Sequence, residues 1–180
     1  MMTKAPRRVA ILLATVVLLV VMGLGYFTAR SVDTEVEIRS PVATVWGLLT
    51  DFSRYGTWNP FIVRVDGAAM PGSRLAVTIR PPVGGSMDFN LTLKEIKSQQ
   101  EMIWTGRTLL PGLLDGEHYF RIERAKNGTV LFRQGERYSG ALLYLAWPLL
   151  KWSVTRSFTE MNGALRNRAE RYTALDAGAR

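Results

Sequence analysis

The sequence predicts an α+β domain: one antiparallel sheet with helices packed on one of its faces. Three observations carry this. A half-buried strand pattern is followed at once by a helix-start signal. Six further strand-like segments then alternate with turns. One long amphipathic segment closes the chain. An uncharged apolar run near the N-terminus stands outside this domain.

That apolar run, residues 9–27, carries no charged side chain. As a helix it would extend roughly 28 Å at about 1.5 Å per residue, close to a bilayer core of about 30 Å. It is read as a transmembrane anchor. The rival reading is a cleaved signal peptide, whose apolar region is shorter and ends at small residues. Here Phe27 stands where a small residue is wanted before Ala29. Lys4, Arg7 and Arg8 in the basic flank 1–8 outweigh Arg30 and Arg39 beyond the run, which places the N-terminus in the cytoplasm and the domain outside it, on an inner membrane. Residues 28–31 read as a short tether, 32–172 as the domain and 173–180 as a tail.

Within the domain, Val32, Thr34, Val36 and Ile38 alternate with Asp33, Glu35, Glu37 and Arg39, a half-buried strand. Ser40 is placed to cap the next helix and Pro41 to occupy its first position. Val42, Val45, Trp46 and Leu49 share one face of that helix, which stops near Asp51. A short second helix and a turn follow, broken by Gly56 and Pro60. Strands are predicted near 61–66, 74–80, 87–97, 101–107, 116–125 and 129–138. "DGAAMPGS", "KSQQ" and "AKNG" are polar or glycine-bearing hairpin turns, whereas "PPVGGS" and "TLLPGLLDG" are longer and more apolar. "GALLYLAWPLLKW" then connects to a helix over 154–172, with Val154, Phe158, Met161, Leu165, Ala169 and Tyr172 on its apolar face.

Charge and composition narrow the function classes. The net charge is +8, and setting aside Lys4, Arg7 and Arg8 leaves 20 basic against 15 acidic residues, a net of +5. The basic residues are scattered rather than gathered in a stripe, so no nucleic-acid partner is expected. The excess reads as solubility with a weak attraction to anionic lipid. With no cysteine and one histidine, disulfides and thiol chemistry are excluded and no metal site is expected. "NLT" and "NGT" fit the glycosylation pattern and read as chance matches.

Strand alternation sorts the polar side chains. Val130, Phe132, Gln134, Glu136 and Tyr138 share one face, which should meet the helix because it carries the aromatics. His118, Phe120 and Ile122 share a face on the preceding strand. Met87, Phe89, Leu91 and Leu93 form an apolar wall. Trp104 is aromatic, with its face left open. A carboxylate in an apolar cavity is costly unless paired, so Glu136 and His118 are a candidate pair. They satisfy each other, hold the polar end of a ligand, or exchange protons with one.

The segments "SPVATVWGLLTDFSRYGTWNPF", "GEHYF", "ERYSG" and "FTEMNGALRNRAERY" resemble the SRPBCC superfamily, the START and Bet v 1-like helix-grip proteins, and within it the bacterial polyketide cyclase/dehydrase-type branch. The resemblance covers about residues 32–172. It implies a curved sheet of about seven strands gripping a long C-terminal helix, with a cavity between them for a hydrophobic small molecule or lipid. On this reading the ligand-facing set is Trp58, Asn59, Phe89, Trp104, His118, Phe120, Phe132, Gln134, Glu136 and Phe158. No catalytic residue, cofactor or metal is assigned. The leading function is a membrane-anchored binding or transfer module. The alternatives are a polyketide cyclase/dehydratase-like enzyme and a protein-interaction or assembly module without ligand. The apolar turns share one end of the sheet with the tether, so Leu109, Leu110, Leu113, Leu114, Leu142, Leu143, Leu145 and Trp147 form a rim expected to face the bilayer.

Overall fold

The computed structural model describes residues 4–107, 112–125 and 128–178. Leu109, Leu110 and Asn127 lie outside them, as do the side chains of 4–6, 21, 22 and 24–27. Helix α1 (Lys4–Phe27) leads into β1 (Ala29–Ile38), then α2 (Val42–Thr50) and a 3-10 helix (Phe52–Thr57). Strands β2 (Ile62–Asp66), β3 (Arg74–Ile79), β4 (Met87–Lys97), β5 (Glu101–Arg107), β6 (Asp115–Arg124) and β7 (Val130–Ser139) follow, and α3 (Leu143–Gly178) closes the chain.

The seven strands form one antiparallel sheet in the order β1-β7-β6-β5-β4-β3-β2. β1 closes the far edge by pairing with β7 from Ala29↔Ser139 to Ile38↔Val130. The sheet curls around α3 in the helix-grip arrangement that the resemblance implies. The core sits between them: Phe120, Phe132, Phe158, Met161, Leu165 and Ala169 are fully buried. A polar tie crosses the same layer. Gln134 Nε2 donates to Phe158 O and Asn162 Oδ1, and Asn162 Nδ2 donates to Thr34 Oγ1 at 3.1 Å. These bonds join β7, α3 and β1 and offset part of the cost of burying the two amides; Gln134 Oε1 has no partner among the described residues.

Several expectations are corrected. Residues 29–31 are not a tether but the first residues of β1, paired with β7, so only Thr28 separates α1 from the sheet. Pro41, not Ser40, is the N-cap of α2; its carbonyl accepts from Thr44 N and Val45 N, and the Ser40 hydroxyl instead meets Thr173 Oγ1 at 2.8 Å. Leu48 takes the buried position expected for Trp46, which is half-buried. The connection "GALLYLAWPLLKW" is helical: α3 runs 36 residues with Pro148 inside it, and reaches Gly178, beyond the expected 154–172. Pro148 lies only in the second turn, where its missing N–H removes a single helical hydrogen bond, and packing of Leu143, Trp147 and Leu150 against the core offsets that loss.

Among the described residues no helix is long and apolar enough to cross a membrane, so the span expected over 9–27 gains no support from the structure. The described side chains of α1 run unbroken only over 7–20, and all of these are exposed.

Candidate functional site

Inward-facing residues of β5, β6 and β7 lie in rows across the sheet. Met102, Phe120 and Gln134 form one row, Trp104, His118 and Glu136 the next, and Gly106, Gly116 and Tyr138 the third. The first row is sealed under α3. The third carries two glycines side by side, and this removes the side chains that would otherwise reach the helix. Leu91 leans over Gly106 and Glu136 Oε1 over Gly116; a Cβ on either glycine would collide with them. Glycine at both positions leaves these side-chain ends where they are, and a Cβ would push them aside.

The space left is a cavity of about 440 Å³. Its floor is Met87, Phe89 and Leu91 of β4 with Trp104, His118, Glu136 and Tyr138. Its roof is Ala146, Leu149, Leu150, Ser153, Val154 and Ser157 of α3. Phe61, Ile62, Pro81, Val83 and Leu114 close its sides. This size and this mostly apolar lining, with a few polar groups, are those of small-molecule sites.

The polar groups are held in fixed directions. Tyr138 Oη donates to Glu136 Oε2 at 2.7 Å, and His118 Nδ1 lies 3.5 Å from the same oxygen. Burial, and then the neighbouring Glu136 carboxylate, pushes the Tyr138 phenol well above its ordinary pKa, so it stays a donor. The His118 ring is clamped between Phe120 and Phe158, with centroids 4.4 and 4.9 Å away, and is 7% exposed. Its Nε2 has no partner among the described residues. Glu136 keeps its side chain 23% exposed and is the one acidic group in a mostly apolar lining that also carries Arg107, Ser153 and Ser157. Among the described residues no cluster of three or more His, Cys, Asp or Glu is placed to hold a metal.

Of the sequence-derived set, Phe89, Trp104, His118 and Glu136 border the cavity. Phe120, Phe132 and Phe158 are fully buried beside it and belong to the core. Gln134 is consumed by its bonds to α3. Trp58 and Asn59 do not border the cavity: Asn59 Oδ1 accepts from Phe61 N and Ile62 N and holds the turn into β2, and the Trp58 ring packs on Tyr55 at 5.3 Å. The site residues not singled out beforehand are Tyr138, Gly116 and the roof of α3. Tyr138 and Gly116 each lie two positions from a chosen residue, so strand alternation alone points to them.

A family model described as polyketide cyclase / dehydrase and lipid transport matches residues 29–170. The chain belongs to this family. Its solved relatives in fold include a START superfamily protein from Mycobacterium smegmatis, 19% identical with a TM-score of 0.64 over 79% of this chain and 98% of that one. The ZhuI aromatase/cyclase from Streptomyces sp. R1128 is 15% identical, with a TM-score of 0.64 over 81% and 96% of the two chains. The di-domain aromatase/cyclase BexL is 15% identical with a TM-score of 0.65; the match covers 79% of this chain and only 50% of BexL. At such identities the likeness shows the fold. No curated protein sequence matches the chain. The polyketide cyclase/dehydrase and lipid transport family accounts for the domain from β1 to α3; α1 precedes the matched residues.

Proposed function

We propose that the domain binds a hydrophobic small molecule or lipid in the cavity between sheet and α3, with Glu136 taking a hydrogen bond from the ligand's polar end. The observation that carries this is one part-exposed acidic side chain, Glu136, lining a mostly apolar chamber of about 440 Å³. Apolar burial contributes about 25 cal/mol per Å², without direction. Glu136, with Oε2 held by Tyr138, supplies the direction. The ligand class is therefore a largely apolar molecule bearing a hydroxyl or amine donor.

The test is organic extraction of the purified protein followed by mass spectrometry. A stoichiometric apolar molecule is expected, and Glu136→Ala should lower its occupancy more than Arg133→Ala on the outer face of the same strand. Equal occupancy in the two variants, or an empty cavity throughout, refutes the reading. A cyclase/dehydratase reading rests on the same Glu136–His118 pair, and turnover of the extracted molecule would favour it.

Anchoring by α1 belongs to the same proposal and is supported by the uncharged sequence of 9–27 and the exposure of its described side chains. Alkaline extraction of membranes tests it: a protein released into the wash is not anchored.

A further inference from the structure

The cavity opens at one end of the sheet, where β3 passes to β4, β5 to β6 and β7 to α3. Two sets of side chains gather there. The first is apolar and exposed. Leu145, Leu149 and Trp152 recur at helical spacing along α3, the two leucines each 64% exposed and Leu149 at the edge of the cavity, where Val83 and Met87 also line the opening. The second set is basic. Arg80 follows β3, Arg107 ends β5 and lines the opening, Arg137 lies near the end of β7, and Lys151 lies between Leu149 and Trp152. All four are exposed, and no ion pair joins any of them to an acid among the described residues. Some cations elsewhere are matched, Arg133 with Glu35 and Glu123, Arg121 with Glu101 and Lys97 with Glu95, while Arg74 and Arg124 likewise join no ion pair among the described residues; what sets the mouth apart is its basic residues standing beside exposed apolar ones.

The same end receives α1. Thr28 alone separates that helix from β1, whose Ala29 pairs with Ser139 beside the start of α3. Arg30 stacks over the Tyr144 and Trp147 rings at 5.3 and 5.2 Å, fixing this junction. An apolar tip in a basic collar is the pattern of a surface that enters a lipid headgroup layer; water disfavours the exposed leucines, and the arginines beside them are free to meet anionic headgroups.

We propose that the cavity mouth is a docking surface for an anionic lipid bilayer. Leu145, Leu149, Trp152 and Val83 enter the interface, and Arg80, Arg107, Arg137 and Lys151 meet the lipid phosphates. The mouth then opens toward lipid, and an apolar ligand passes in or out without crossing water. The docking does not depend on what the cavity holds.

The chain has no cysteine, so single labels are clean. The 180-residue chain carrying a fluorophore on Val83→Cys, or on Ser98→Cys in the β4–β5 turn at the opposite end, is reconstituted in vesicles with brominated acyl chains and about one-third phosphatidylglycerol. Quenching is expected at position 83 and not at 98. The docked-to-undocked ratio should fall about fivefold for each of Arg107→Gln and Arg137→Gln, and also in vesicles of phosphatidylcholine alone. Circular dichroism confirms folding, and Leu149→Gln gives a second variant that must also lower quenching. Quenching at 98 but not 83, or equal quenching at 83 in neutral and anionic vesicles, overturns the proposal. So does a label at 83 shielded without lipid in a dimer, which would assign the face to a second copy. An empty cavity in the extraction experiment leaves these readouts unchanged, so the two proposals fail separately.

Discussion

The two halves of α3 meet the same sheet in opposite ways. From Phe158 to Ala169 the helix lies on large side chains of β6 and β7, and Phe158, Met161, Leu165 and Ala169 are fully buried. From Leu143 to Ser157 it spans the Gly106–Gly116 row, and a chamber remains beneath it. The register of β5, β6 and β7 is continuous across both halves. The difference lies in side-chain volume at a few inward positions: Phe120 and Phe132 on one side, two glycines on the other. A cavity in this fold is a local omission of side chains, made tolerable because its lining is apolar and its one carboxylate is held by Tyr138.

The largest test of this contrast is Phe158→Ala against Leu149→Ala. The first leaves a void in a sealed layer and should cost about 3–5 kcal/mol of unfolding free energy. The second removes atoms that are already largely exposed and should change stability by no more than about 0.5 kcal/mol. Equal costs in denaturant titrations would mean that the two halves are packed alike.

A smaller effect is expected at Gln134→Leu. It strands Asn162 Oδ1 in the closed half, removes a second bond to the Phe158 carbonyl and should cost about 1–3 kcal/mol. A neutral substitution would show that the amide tie between β7 and α3 contributes nothing.

Alkaline titration probes both halves together. Burial raises the phenols of Tyr55 and Tyr138 far above the ordinary value, and raises Tyr119 to about 12, with Asp33 adding to the last. In each case the folded state keeps a proton that the unfolded chain releases near pH 10. The stabilisation is fully present below pH 10 and is lost as pH rises through the folded values. Each buried phenol should contribute a slope of about 1.4 kcal/mol per pH unit. Chemical denaturation between pH 9 and 11 should show that slope reduced in Tyr55→Phe and in Tyr138→Phe. An unchanged slope in both would mean that neither phenol holds its proton.

A small stability effect belongs to Gly116→Ala, at most about 1 kcal/mol, since the atom it displaces is the end of the flexible Glu136 side chain. It should nevertheless lower ligand occupancy several-fold by moving that carboxylate. Unchanged occupancy would separate Glu136 from binding.

The sequence by itself determined the element order, the strand positions and which side chains face inward. Period-two alternation needs no knowledge of partners, and β4 and β5 fall where the pattern puts them, at Met87–Lys97 and Glu101–Arg107. The same alternation brought His118 and Glu136 to one face. What only the tertiary structure decided is which inward residues line space and which fill it. Phe89 borders the cavity while Phe120 and Phe132 are sealed, because the outcome depends on the distance to α3 and on the volumes in neighbouring rows, neither of which is local. Asn59 reads as a polar group near the cavity until the turn into β2 takes its carbonyl. The segment "GALLYLAWPLLKW" reads as a connection until packing against the core carries the helix through it, Pro148 included. Local chemistry sets periodicity and propensity; it cannot set the void, which is the difference between a sheet's curvature and the side chains that happen to reach across it.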